Sequence, residues 1–169
     1  LLTTNVSVTD AEQQNISLNY SWYVNHAETG TSTMVQDGLN DTLSGEQYFD
    51  KGDLVFVDVT PNDGIEDGIA LQSSQLTILN TPPVLSEITL TPSGALEGID
   101  ALTCQLTGTD IDQDELTYSF RWIDPDGVIQ QNVTDLTEGV TVLNVAQVRE
   151  GTWICEGTIS DGEDNGLSI

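Results

Sequence analysis

The chain has 169 residues, and 37% of them are apolar, enough for one large or two modest packed cores and too many for a disordered tail. Its 28 Asp and Glu residues face only Lys51, Arg121 and Arg149, a formal net charge of −25. Such a surface repels phosphate backbones and anionic lipids, which excludes nucleic acid and membrane surfaces as partners; no apolar run is long enough to span a bilayer.

The first patterned segment is Ile16–Val24, where Ile16, Leu18, Tyr20, Trp22 and Val24 alternate with Ser17, Asn19, Ser21 and Tyr23. A period of two with aromatic and β-branched residues predicts a half-buried strand. Val55, Val57 and Val59 predict a second, followed by the Pro61-Asn62-Asp63-Gly64 turn, and Leu76 and Ile78 predict a third. Asn80-Thr81-Pro82-Pro83 continues neither a helix nor a central strand, and reads as a short, stiff linker. Beyond it come a strand around Ser86–Pro92, another at Leu116–Trp122, and the Asp124-Pro125-Asp126-Gly127 turn. No convincing amphipathic helix is present, and many short strands imply sandwiches or barrels.

The chain also repeats itself. With a shift of 100 residues, Leu2–Val24 lies on Leu102–Asp124 without a gap, ending with Trp22 over Trp122. With a shift of 98, Val57–Gly64 lies on Cys155–Gly162. Two blocks in the same order indicate a duplicated domain. The expected units are 1–81 and 82–169, the first lacking its opening strand and the second its closing strand. Leu1 already lies in patterned sequence, so the expected context is a longer protein. The absent strands would then be supplied by flanking sequence or exchanged between copies.

Cys104, Trp122 and Cys155 stand in the order Cys…Trp…Cys, which resembles immunoglobulin domains. Thr109–Tyr118, the Pro61–Gly64 turn and the Asn80–Pro83 junction make the whole chain resemble the PKD/cadherin-like repeats of large bacterial surface or secreted proteins. This resemblance implies an all-β fold of two tandem immunoglobulin-like β-sandwich domains. It places Cys104, Trp122 and Cys155 inward on strands B, C and F. A Cys104–Cys155 bridge over the tryptophan would follow, with two buried thiols as the alternative. A bridge implies an oxidising, extracellular or cell-surface location. The first unit has Thr4, Trp22 and Val57 at the equivalent positions, so any bridge belongs to the second unit only. Trp153, two before Cys155, stands where antibody-type domains carry a tyrosine.

Asp110-x-Asp112-x-Asp114 is the sharpest chemical signal, because alternate carboxylates on a loop can converge on one hard cation. In an immunoglobulin topology the B–C and F–G loops share one end, which adds Asp161 and Glu163, with Asp164 beside them. A calcium ion is the expected cofactor there, with a carbonyl from Asn80 or Thr81 as a further ligand. The bland alternative is a solvated acidic turn. A weaker site would use Asp10, Glu12 and Asp63. Trp22 and Trp122 read as core by parity rather than as a sugar platform. His26, the only histidine, reads as a surface residue, and with no second histidine a zinc site or His-based triad has no basis. Asn5, Asn15, Asn19, Asn40 and Asn132 begin N-x-Ser/Thr sequons, with chance as the alternative. The sequence thus predicts a non-enzymatic repeat module of a stalk, adhesin or fibre, its partners being neighbouring repeats. The alternative is a glycan- or protein-binding module, including an accessory domain of a secreted enzyme.

Overall fold

A computed structural model describes residues 1–9, 15–36 and 40–166, and of residues 30–36 the backbone only. The chain divides into two compact units, Leu1–Leu79 and Asn80–Ile169. It is all-β, built as two tandem immunoglobulin-like β-sandwich domains.

The first unit contains β1 (Leu2–Thr3), β2 (Ser17–Val24), β3 (Ala27–Gln36), β4 (Thr42–Leu43), the single-turn α1 (Gly45–Tyr48), β5 (Leu54–Asn62), β6 (Leu71–Gln72) and β7 (Leu76–Thr77). One sheet runs β3-β2-β5-β6, with β7 also on β5; the facing layer is the β1–β4 pair. Leu18, Tyr20, Trp22, Leu43, Val55 and Val57 form the core. Strands β2 and β3 turn at Asn25-His26, both at positive φ (50° and 67°), as a two-residue hairpin matched to strand twist requires. Asn25 holds that turn by donating to Asp53 at 2.6 Å and accepting from the Leu54 N–H at 3.1 Å.

The second unit contains β8 (Val84–Thr91), β9 (Leu102–Thr109), β10 (Thr117–Ile123), β11 (Ile129–Leu136), β12 (Val140–Leu143) and β13 (Ile154–Ser160). Its sheets are β12-β9-β8 and β11-β10-β13. Leu102, Cys104, Leu106, Phe120, Trp122, Leu143, Val148 and Trp153 are its buried core.

The internal repeat reappears as strand register. Leu2 faces Leu43 as Leu102 faces Leu143, and Trp22 faces Val57 as Trp122 faces Cys155. The turn that follows β5 is also repeated after β13. Asp63 Oδ1 accepts the N–H groups of Ile65 and Glu66, and Asp161 Oδ1 accepts those of Glu163 and Asp164. Gly64 and Gly162 take the left-handed conformation these turns need, at φ 91° and 92°.

Where the repeats differ, packing compensates. A Cβ on Gly157 would lie 2.4 Å from a Leu106 methyl, so the large Leu106 fills the space over a glycine. The first unit has Val6 and Val59 at these positions, two medium side chains. Cys104 and Cys155 form a disulfide (S–S 2.07 Å), and Trp122 beside it is fully buried. Trp153 supplies the hydrogen bond a corner tyrosine would make, its indole N–H donating to the Arg149 carbonyl at 3.0 Å. Arg149 in turn reaches the buried Asp124 carboxylate at 2.6 Å. Burial pushes that carboxyl up, but the Val128 N–H, Arg149, the Asp126 N–H and Gln130 outweigh it and hold it below its ordinary value.

Candidate metal-binding end of the second unit

The loop from β9 to β10 begins at Asp110, whose Oδ1 accepts the N–H groups of Asp112 at 2.7 Å and Asp114 at 3.4 Å. These bonds curl the loop so that alternate side chains point to one side. Gln113 takes a left-handed conformation (φ 64°) within the curl, while Ile111 points out to solvent. The result is a triplet: one carboxylate oxygen from each of Asp110, Asp112 and Asp114 lies within 4.8 Å of the others. All three residues are half-buried. Two oxygens on opposite sides of one calcium ion, each at about 2.4 Å, stand about 4.8 Å apart, so the spacing fits a single ion.

One carboxylate oxygen of these three residues has no hydrogen-bond partner among the described residues. Asp110 Oδ2 is buried and accepts no hydrogen bond among the described residues. A buried carboxylate oxygen without a donor is costly. A bound cation would satisfy it, so the donor set fits a hard divalent ion such as calcium.

The segment leading into the unit lies against the same loops. The Thr81 N–H donates to Asp112 Oδ2 at 2.6 Å. The Asn80 side-chain amide donates to Asp161 Oδ2 at 2.9 Å and Asp164 Oδ2 at 3.1 Å. Asn80 therefore lowers the Asp161 carboxyl below its ordinary value; the Asp164 N–H and then the Glu163 N–H add to the effect, while burial opposes it. Asp161 and Glu163 do not join the triplet. Asp161 is occupied as the cap of its own turn and as the acceptor for Asn80. Sequence reasoning looked to Asn80 and Thr81 for carbonyl ligands and missed their role as donors to the acidic loops.

In the first unit, Asp63 caps the equivalent turn, and its carboxyl is lowered by the Glu66 and Ile65 N–H groups. Asp10 and Glu12, expected beside it, lie outside the described residues. Tyr23 and Phe56 were not paired from sequence. They are cross-strand neighbours, stacked at 4.8 Å with 7° between their planes, and the exposed His26 tilts against Phe56 at 5.9 Å. No helix among the described residues is long and apolar enough to cross a membrane.

No protein-family model matches the chain, and no curated protein matches it. Solved structures do. A segment of two fibronectin type-III domains from chicken tenascin is 15% identical, with 97% of this chain and 85% of that one covered and a TM-score of 0.43. The chicken interferon gamma receptor alpha chain is 11% identical, with 95% and 85% covered and a TM-score of 0.46. Neither ligand nor partner follows from likenesses this distant.

Proposed function

We propose that this chain is a non-enzymatic structural repeat module of an extracellular stalk, adhesin or fibre of the PKD/cadherin-like kind, whose second unit is stabilised by calcium. The observation that carries the calcium reading is the buried, unpartnered Oδ2 of Asp110 beside the carboxylates of Asp112 and Asp114. Oxygens of the three carboxylates would hold the ion. Asp161 and Glu163 would support it through the F–G turn, and an Asp10, Glu12 and Asp63 site remains a weaker counterpart in the first unit. The ion would neutralise charge that no neighbouring lysine or arginine in the sequence offsets. Because Thr81 is bonded to Asp112, fixing the loop also fixes the leading segment.

The Cys104–Cys155 bridge supports an oxidising, extracellular or cell-surface setting, and the duplicated register supports a module whose partners are neighbouring repeats. The alternative, a glycan- or protein-binding module, draws on the Tyr23–Phe56 pair; Phe56 is only 7% exposed, which leaves Tyr23 as the accessible ring. The test is thermal unfolding of the chain in chelator and in calcium. The calcium reading expects the second unit's transition to rise with calcium, by linkage. Equal transitions in both conditions would leave the triplet a solvated acidic turn.

A further inference from the structure

The outer face of the first unit's larger sheet carries a row of side chains that its repeat does not. Across β3, β2 and β5 the row reads Glu28, Tyr23, Phe56, each residue directly opposite the next. In the second unit the corresponding row is Ile129, Ile123, Ile154. Aliphatic side chains therefore satisfy the fold at these positions, and it does not require the acid and the two rings. Phe56 is nearly buried yet lies outside the core, with Tyr23 and His26 against it. Strands β2 and β5, which carry the rings, are hydrogen-bonded on both sides.

The stack decides where the remaining aromatic face lies. The Tyr23 and Phe56 rings are 4.8 Å apart and 7° from parallel, which matches the spacing of neighbouring strands. Each ring thus stands over its own strand, and one face of Tyr23 is covered by Phe56. The other face is turned towards β3, where the opposite residue is the exposed Glu28. Asp58 lies two residues beyond Phe56 on β5, on the same side of the sheet. Burial first, then the charges of Glu28 and Asp58, push the Tyr23 hydroxyl above its ordinary value. None of the chain's three Lys and Arg residues counters them there.

We propose that the free face of Tyr23 is a docking platform for an arginine side chain of a partner protein. A guanidinium laid on that face extends the stack to a third layer and is attracted by the ring quadrupole. There its N–H groups meet the Glu28 carboxylate, and Asp58 adds to the negative potential. Charge complementarity selects this occupant: the chain carries a net charge of −25, and the acids beside the ring repel an anionic ligand. A lysine ammonium gains the charge attraction without the planar stacking. A neutral saccharide stacks on the ring but gains nothing from the charge. This surface lies in the first unit and owes nothing to the calcium reading of the second.

The experiment uses the whole chain at about 0.15 M salt, which screens long-range attraction. The probes are capped glycine pentapeptides with a central arginine or a central lysine, and N-acetylglucosamine. Binding is read from the ring-proton resonances of Tyr23 and Phe56. The arginine peptide should shift them saturably and bind about threefold tighter than the lysine peptide. Tyr23→Ala should weaken the arginine peptide about three- to tenfold, whereas Tyr23→Phe, which keeps the aromatic face, should change it less than about twofold. Glu28→Gln, at an exposed position, should weaken it about two- to fivefold. Equal binding of the two peptides, or binding unchanged in Tyr23→Ala and Glu28→Gln, would reduce the effect to general attraction by an acidic surface and overturn the proposal. Ring shifts with N-acetylglucosamine but not with the arginine peptide would overturn it in favour of a glycan. No ring shift with any probe would refute it outright.

Discussion

The indole N–H of Trp22 donates to the Asp41 carboxylate at 3.0 Å, and Asp41 ties the same loop to Thr4, the counterpart of Cys104. Trp122, its repeat partner, is buried beside the disulfide with no partner for its indole N–H among the described residues. The two units thus solve one problem differently. One clamps its tryptophan with a hydrogen-bond cluster, which Tyr20 joins through Thr4. The other clamps its tryptophan with a covalent bridge.

Removing the acceptor should therefore weaken the first unit alone. Asp41→Ala is expected to cost about 1–3 kcal/mol, since it strands a buried indole donor and breaks a charge-assisted bond. Asp41→Asn, which keeps an acceptor, should cost less. Unfolding followed by amide exchange in each unit separates the two, and a loss in the second unit would contradict this assignment.

The bridge makes the opposite prediction. Replacing Cys104 and Cys155 with alanine should lower the second unit's stability by about 2–5 kcal/mol and leave the first unit unchanged. Intact mass under non-reducing alkylation checks the starting point, with no alkylatable thiol expected.

The Leu106/Gly157 exchange of volume can be tested as a cycle. Gly157→Val alone should overpack the core and cost about 1–3 kcal/mol. Adding Leu106→Val recreates the Val6/Val59 pair of the first unit and should recover part of that loss. Additive destabilisation in the double variant would show that the two positions are not coupled.

These pairings explain which parts of the fold were legible. The shift of 100 carried the core parity, because a strand's inward face is written every second residue. Together with the shift of 98 it set Trp22 and Val57 at the positions of Trp122 and Cys155, and the structure shows each of these pairs facing across its strands. Asp41 left no such trace: its counterpart is Thr141, which pairs with Cys104 and has no carboxylate to offer. The Tyr23–Phe56 stack was hidden for a similar reason. Parity turns both rings outward, but their meeting depends on register between strands more than 30 residues apart. At the acidic end, the sequence gathered the right loops. It could not divide their labour, because whether Asp161 caps a turn or joins the triplet depends on where the Asn80 amide lies.

That amide gives a pH prediction. The Asp161 carboxyl is held low chiefly by Asn80. A group whose folded value lies below its unfolded value stabilises the fold above the unfolded pKa, and that contribution fades as pH falls through the folded value. The second unit should lose this stabilisation on acidification below about pH 4. Asn80→Ala should flatten the acid limb, and an unchanged limb in that variant would refute the link.

The most direct test of the central claim is calorimetric titration of calcium into the chelator-treated whole chain, beside Asp110→Asn and Asp112→Asn. The account predicts saturable binding at the second unit in the wild-type chain. It predicts binding at least about tenfold weaker in each variant, as expected when a ligand charge is removed from a hard-cation site. It also predicts that amides of residues 110–114 and Thr81 shift on binding. Absence of saturable heat in the wild-type chain, or equal binding in all three chains, would contradict it.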